Sequence, residues 1–404
     1  MALALPSPQR RAAPEAVHVH VDHPAAGMYY TNVSIGTPPQ YIPFVVDTGS
    51  DLDWVIASDA NADAGEVAGG EYNPDLSDTF GLLSTDNFTI SYLDGSSVTG
   101  DWFTDRFDVG TPPASVQNLA IGLPRRSDSD TRHKGMLGLS PDWTYPLPNG
   151  RTLEGNSRIL HLMVEQQIIN TRSFSLSLGH HDDARGSLLF GAHDPGKYHG
   201  DLTILPMRKD PNLASIYHSY RYTPVDYRVD VSSVVFMDTI NGAYALTPQG
   251  YIALGLMDSG AEVSTLPRRM FMALVQLVKA YKPQKAVEDW FVDCDNRNYP
   301  GSLDFEFGNL GKSSRISVPL KDIILPAFDW DTRTPILDEQ GVQQCRLMFI
   351  PGKNGVVGLN QPFLRAAYVV HHLDERVLGI AQATDDVDQV VEIASGDSKW
   401  QRPG

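Results

Sequence analysis

Val45-Val46-Asp47-Thr48-Gly49-Ser50 has an echo in Leu256-Met257-Asp258-Ser259-Gly260-Ala261. Working outward, Gly135-Met136-Leu137-Gly138-Leu139 is echoed by Gly355-Val356-Val357-Gly358-Leu359, at Asp-to-Gly intervals of 91 residues (47 to 138) and 100 residues (258 to 358). Such an internal repeat outranks any local signal. Each half runs an apolar strand into Asp-Thr/Ser-Gly and returns with an apolar pair ending in Gly. Two similar β lobes then bring their Asp loops together at a shared cleft. An acid at the end of an apolar strand is costly to bury unless it is paired or hydrogen-bonded. Gly49 and Gly260 permit the tight backbone approach such a loop needs. Thr48 and Ser259 are placed to hydrogen-bond across the lobes and brace the two loops. A single Asp-Thr-Gly is weak evidence. Two, at equivalent positions behind apolar strands, outweigh the plainer reading of ordinary turn aspartates.

The rest of the chain reads as mainly β. Short alternating or β-branched runs lie between turn clusters, as in Thr89-Ile90-Ser91-Tyr92 before Asp94-Gly95, or Tyr368-Val369-Val370, and 34 glycines and 28 prolines supply the turns. Two apolar stripes have helical spacing: Ile159, Leu160, Met163, Val164 and Ile168, and Met270, Leu274, Leu277, Val278 and Tyr281, with Pro267 suited to the first turn of the second. At 404 residues and 42% hydrophobic, the chain has material for two large lobes or a few smaller domains. No apolar run approaches the ~18–20 residues of a membrane span. The net charge of −17 argues against nucleic acid as the main partner.

The ends carry less chemistry. Met1 to Pro6 is too short for a signal-peptide core and reads as a processed remnant or a plain start, and Arg10-Arg11 as a processing site or part of a disordered arm. His18, His20 and His23 have a spacing that can hold a metal, but exposed positions on an edge strand explain them better, and no metal or other cofactor is expected. Thr384 to Gly404 is a polar tail without a lipid-anchor signal. Asn32-Val33-Ser34 and Asn87-Phe88-Thr89 are glycosylation sequons; Asn32 is expected on a core strand, leaving Asn87.

These features together resemble the pepsin family of aspartic endopeptidases, secreted fungal members most of all. The likeness covers about Tyr29 to Ala383. It is carried by Tyr30 through Gly36-Thr37-Pro38, by Asp47-Thr48-Gly49-Ser50 with Trp54-Val55, and by Tyr72-Asn73-Pro74 with Ser77, Thr79 and Phe80. Ser91-Tyr92 with Asp94-Gly95-Ser96, Phe190-Gly191 with Asp194 and Tyr198, and Phe363-Leu364-Arg365 through Ile380-Ala381 extend it. The resemblance implies a bilobal double-β-barrel fold: an arm or pro-segment remnant at 1–28, lobes at 29–205 and 206–383, and a tail at 384–404. It implies that Asp47 and Asp258 share one proton and activate a water between them. Thr48, Gly49, Ser50, Ser259 and Gly260 would support the pair. Tyr92, Leu93 and Asp94 would form a flap over substrate, with the Tyr92 hydroxyl meeting the Trp54 indole. Cys294 and Cys345 match the position of the family's second-lobe disulfide; the alternative is two buried thiols in a reducing compartment.

Three departures bear on function. Ala261 cannot make the hydrogen bond that Ser50 offers Asp47. The position after the second apolar-apolar-Gly turn, usually Asp in the family, is Leu359 or Gln361 by two possible alignments, and neither is acidic. Both departures favour a protonated pair and an activity optimum less acidic than pepsin's. Leu93 replaces a usual glycine and narrows the cleft or stiffens the hairpin, while Asp94 is either a contact for lysine before the cut or a turn former. Asp53 sits where the family buries an apolar residue. The expected function is an endopeptidase acting on extended, apolar-flanked peptides, cationic ones favoured, as a monomer in the secretory pathway, the vacuole or outside the cell. The competing expectations are a pepsin-fold binding or inhibitor protein that has lost proteolysis, or a fold turned to non-proteolytic biosynthetic chemistry.

Overall fold

The computed structural model describes residues 16–22, 27–60, 70–91, 97–127, 135–141, 144–146, 152–154, 158–182, 185–209, 226–282, 289–308, 314–330, 333–352, 355–384 and 389–402. Two large sheets organise it. The first has thirteen strands and holds the strands Tyr30–Ile35, Gln40–Asp47, Gly135–Gly138 and Trp54–Val55, followed by Ala114–Ser127, Ser97–Val109 and Gly81–Ser91. An additional pairing of Tyr30–Ile35 with Ser97–Val109 curls this part back on itself. The second has eight strands, among them Gly301–Phe307, Arg228–Asp238, Ala253–Met257, Val357–Leu359 and Ser264–Pro267. The fold is thus the mainly β, bilobal pepsin-like one. No helix of the described residues is long and apolar enough to cross a membrane.

The repeat is visible in the ladders. Gln40–Asp47 runs parallel to Gly135–Gly138, with Asp47 opposite Gly138. Ala253–Met257 runs parallel to Val357–Leu359, but there Gly358 lies opposite Leu256, two residues short of Asp258. The two Gly positions aligned by sequence are therefore not equivalent in register. A slip of two residues keeps every side chain on its face, so it leaves no trace in the hydrophobic pattern.

Both expected helices form and both stop short of their apolar stripes. Arg158–Glu165 buries Ile159, Leu160 and Met163, then ends before Gln167, whose φ is +60°. Arg268–Leu277 buries Met270, Phe271, Leu274 and Val275. Pro267 is its N-cap rather than a first-turn residue, and Lys279 at φ +54° turns the chain before Tyr281, which lies in an isolated bridge to Phe291. An apolar residue beyond the turn keeps the stripe's spacing without being helical.

Three local expectations change. The strand Val17–Asp22 is not an edge: it pairs along its length with Arg185–Phe190, and Asp22 pairs with Tyr30 on the other side. Its alternation stands, with Val17, Val19 and Val21 buried and His20 exposed; His23 lies outside the described residues. Asn32 does lie on a strand packed against the core, yet its side chain is exposed between buried Thr31 and Val33, as Asn87 is on Gly81–Ser91. The polar tail is docked. Val391–Glu392 pairs with Ala192–His193, and Ile393 and Trp400 are each 1% exposed, packed with Tyr198, Leu202, Tyr368, Val370 and Ala381.

Candidate active site

Asp47 ends the strand Gln40–Asp47 and Asp258 follows the strand Ala253–Met257. Behind them the two loops are cross-braced. The Thr48 N–H donates to Ser259 Oγ (3.0 Å), and the Ser259 N–H donates to Thr48 Oγ1 (2.9 Å). Each hydroxyl then donates onward to the opposite strand: Thr48 to the Met257 carbonyl (3.1 Å), Ser259 to the Val46 carbonyl (2.7 Å). Four buried bonds join segments 211 residues apart in sequence. Fully satisfied buried networks of this kind rigidify what they hold.

The glycines set how close the halves come. A Cβ on Gly49 would sit 2.5 Å from Asp258 Cγ, and a Cβ on Gly260 would collide with the Asp47 carboxyl. Each glycine thus faces the other half's acid, and any side chain would drive the acids apart. The two carboxyls are in hydrogen-bond contact with each other.

Each acid receives one backbone donor at the same place: Gly49 N–H to Asp47 Oδ1 and Gly260 N–H to Asp258 Oδ1, both 2.8 Å. Beyond that the symmetry ends. Ser50 donates its hydroxyl to Asp47 Oδ2 at 2.5 Å, whereas Ala261 has none to offer. Burial raises the pKa of both acids, and Asp258 is raised well above the ordinary value. The donors from Ser50 and Gly49 oppose the rise at Asp47; the negative charge of Asp47 adds to it at Asp258. Two adjoining carboxyls cannot both ionise cheaply, and their surroundings make Asp258 the harder of the two to ionise.

Gln361 resolves the alignment question beside Asp258. It is fully buried, its N–H donates to the Ala261 carbonyl (3.2 Å), and its Nε2 donates to the Ser259 carbonyl (3.1 Å). Arg365 Nη2 donates to its Oε1 (3.4 Å) and Arg365 Nε donates to the Tyr29 hydroxyl (2.9 Å). A neutral amide, not a carboxylate, supports the Asp258 loop.

Asp53 also has an account. It is 2% exposed, and its Oδ1 accepts from the Gly138 N–H at 3.1 Å. The acid ties the strand carrying Gly138, opposite Asp47, to the segment after the Asp47 loop. Trp54 is buried with Val45, Leu52, Ile56, Phe88, Val98, Trp102 and Met136, the small core beneath the long hairpin formed by Gly81–Ser91 and Ser97–Val109. Tyr92, Leu93 and Asp94 lie outside the described residues. Cys294 and Cys345 are bonded to each other, with Cα atoms 5.1 Å apart.

Sequence reasoning missed Asp105. It is 3% exposed and accepts from the hydroxyls of Tyr72 (2.5 Å), Ser77 (2.7 Å) and Thr79 (2.5 Å) and from the Arg106 N–H (2.7 Å). Tyr72, Ser77 and Thr79 belong to the stretch singled out before the hairpin, so their purpose is now plain: they hold that stretch to one buried carboxylate.

Comparison with known proteins agrees with this architecture. The family model described as eukaryotic aspartyl protease matches residues 28–383. A probable aspartic-type endopeptidase opsB of Aspergillus fumigatus is 28% identical over 381 residues, 92% of this chain and 72% of the relative. Secreted aspartic protease 3 of Candida albicans is 27% identical over 367 residues, 88% of this chain and 79% of the relative.

Proposed function

The chain belongs to the eukaryotic aspartyl protease family, and from that premise we propose that it hydrolyses peptide bonds with a water held between Asp47 and Asp258, Asp47 charged and Asp258 protonated. The unequal hydrogen bonding of the pair carries this assignment: Ser50 donates to Asp47, and the matching position beside Asp258 is Ala261. Charged Asp47 takes a proton from the water as its oxygen attacks the scissile carbonyl. Asp258 donates its proton to the developing oxyanion; as the tetrahedral intermediate collapses and the C–N bond breaks, Asp47 passes the proton it took from water to the leaving amine and Asp258 recovers a proton from the intermediate's hydroxyl. The rigid cross-brace supports the reaction by keeping both carboxyls in place without reorganisation.

The substrate is a peptide or protein, bound extended beneath the hairpin formed by Gly81–Ser91 and Ser97–Val109. The enzyme acts as a monomer in the secretory pathway or outside the cell; the Cys294–Cys345 bond supports an oxidising compartment. Ala261 and the neutral Gln361 favour a protonated Asp258 up to higher pH, so the optimum lies at less acidic pH than pepsin's. Cleavage of a mixed peptide library from pH 3 to 7, sensitive to a statine-type inhibitor and absent in Asp47→Asn, is the expected result. A kcat/KM profile peaking below about pH 3, where a low-pKa dyad would work best, would refute the assignment of the optimum. No cleavage by folded protein at any pH would refute the mechanism.

A further inference from the structure

Outside the dyad, one more acid lies at the end of the strand pair that carries Asp258. Arg228–Asp238 pairs antiparallel with Ala253–Met257, Arg228 opposite Leu256. The Met257 N–H then donates to the Tyr227 carbonyl at 3.0 Å, continuing the ladder by one step. Asp226 and Asp258 each stand one residue beyond that bonded pair, where the first strand bends: the Arg228 N–H turns back to the Asp226 carbonyl at 2.7 Å.

The first half offers the comparison. There Tyr30 lies opposite Val45, and the Val46 N–H donates to the Tyr29 carbonyl at 2.9 Å. Tyr29 and Tyr227 are equivalent and fully buried, and the residue before Tyr29 is Met28, whose sulfur accepts from Gln361 Nε2 at 3.3 Å. The position that holds a carboxylate in the second half holds a neutral thioether in the first.

We propose that Asp226 is a positioning residue of the site: its charge, beside the Tyr227–Met257 bond that leads into Asp258, keeps the shared proton on Asp258, with Arg228 as the counter-charge that sets how strongly it does so. The proposal rests on the two-acid mechanism above and names what biases it. Asp226 adds to the rise in the Asp258 pKa, after burial and the charge of Asp47. Arg228 holds Asp226 Oδ2 through Nε (3.0 Å) and Nη2 (2.9 Å), with the two side chains 7% and 17% exposed. Among the described neighbours, Arg208 donates its N–H to the Arg228 carbonyl and spends its guanidinium on Asp230 at 3.3 Å. The other groups at Asp258 are Asp47 and the Gly260 N–H.

The test is the sign of two shifts in the alkaline limb of kcat/KM. Asp226→Asn removes a negative charge beside Asp258 and moves that limb toward acid by roughly half to one unit. Asp226→Glu restores it. Arg228→Gln keeps the acid, strips its counter-charge and moves the limb the opposite way; it carries the test if Asp226→Asn does not fold. A merely structural pair would lower kcat or Tm in both variants and leave the limb fixed or move it alike, and either result overturns the proposal. Infrared titration of the protonated carboxyl band in the same variants reads Asp258 without turnover. If the wild type fails to cleave, the mechanism falls, while the infrared shifts still decide the role of Asp226.

Discussion

Ser50 and Ala261 stand at equivalent places beside the two carboxyls and differ by one hydroxyl. A hydrogen bond to a charged group contributes about 1.5–3 kcal/mol, or roughly one to two pKa units. Ser50 stabilises ionised Asp47, so Ser50→Ala raises the Asp47 pKa and moves the acid limb of kcat/KM to higher pH by about one unit. Ala261→Ser supplies the missing donor to ionised Asp258 and pulls the alkaline limb toward acid. An unmoved profile in both would mean that the hydroxyl contact is idle. Asp105 tests a purely structural acid. Asp105→Ala leaves three hydroxyls and an N–H without their acceptor, and is expected to cost about 3–5 kcal/mol in urea unfolding while leaving the pH profile alone. The dyad was legible because its motif is repeated. Asp226 was not, because the buried tyrosine preceding each acid lies 18 residues upstream in one half (29 to 47) and 31 in the other (227 to 258), so no fixed spacing marks the equivalence. The partners of Asp105 were each noticed, but nothing in sequence says that three hydroxyls converge on one carboxylate.

The segment 389–402 is a strap whose hold depends on pH. Its Trp400 ring lies 5.7 Å from both His193 and His372, and Gln389 N–H donates to Asp194 Oδ1 at 2.7 Å. Burial lowers the His193 pKa to about 4, and Lys399 on the strap opposes protonation further, partly offset by Asp397. Burial lowers His372 too, against Asp374, Glu375 and Asp397. The docked state therefore binds fewer protons than the undocked one. Docking is strongest above the ordinary imidazole pKa near 6.5 and weakens as pH falls toward 4, as His193 and His372 take up protons more readily once released. Hydrogen exchange at residues 391–393 and 400, corrected for intrinsic rates, should lose protection between pH 7 and 4, and less so in His193→Phe. Equal protection at both pH values would refute this. Composition concealed the strap: Ile393 and Trp400 alone bury large side chains in 389–402, among exposed and mostly polar neighbours, with no periodicity to flag them.

Across the whole molecule, the charge of −17 is less of a field than the count implies. Asp47 to Asp108 holds 14 acids and one base, Arg106. Yet Asp53, Asp101 and Asp105 are buried and spent on internal partners, Asp59 and Asp101 share Arg125, and Asp108 pairs with Arg106. What remains should steer cationic peptides only moderately: kcat/KM for a basic peptide is expected to fall a few-fold between low and physiological salt, where screening shortens to about 8 Å. Equal cleavage of acidic and basic peptides at low salt would remove steering altogether. The two-lobed plan was readable from the repeat. That the thirteen-stranded sheet draws on both ends of the chain was not, since such pairing is a long-range choice that no local pattern encodes.

That sharing has a consequence for how the protein is made. The strand Ser173–Ser177 pairs with Ala367–His372, which pairs with Val377–Gln382, which pairs with Thr203–Pro206. The first-made half therefore leaves the ribosome with an unfilled slot in its main sheet, awaiting strands about 200 residues downstream. At ~5–20 residues per second of synthesis, the gap stays open for roughly 10–40 seconds. Through that interval the free edges of Ser173–Ser177 and Thr203–Pro206 can pair with other chains, so the yield of native enzyme depends on what guards them until the last strands arrive.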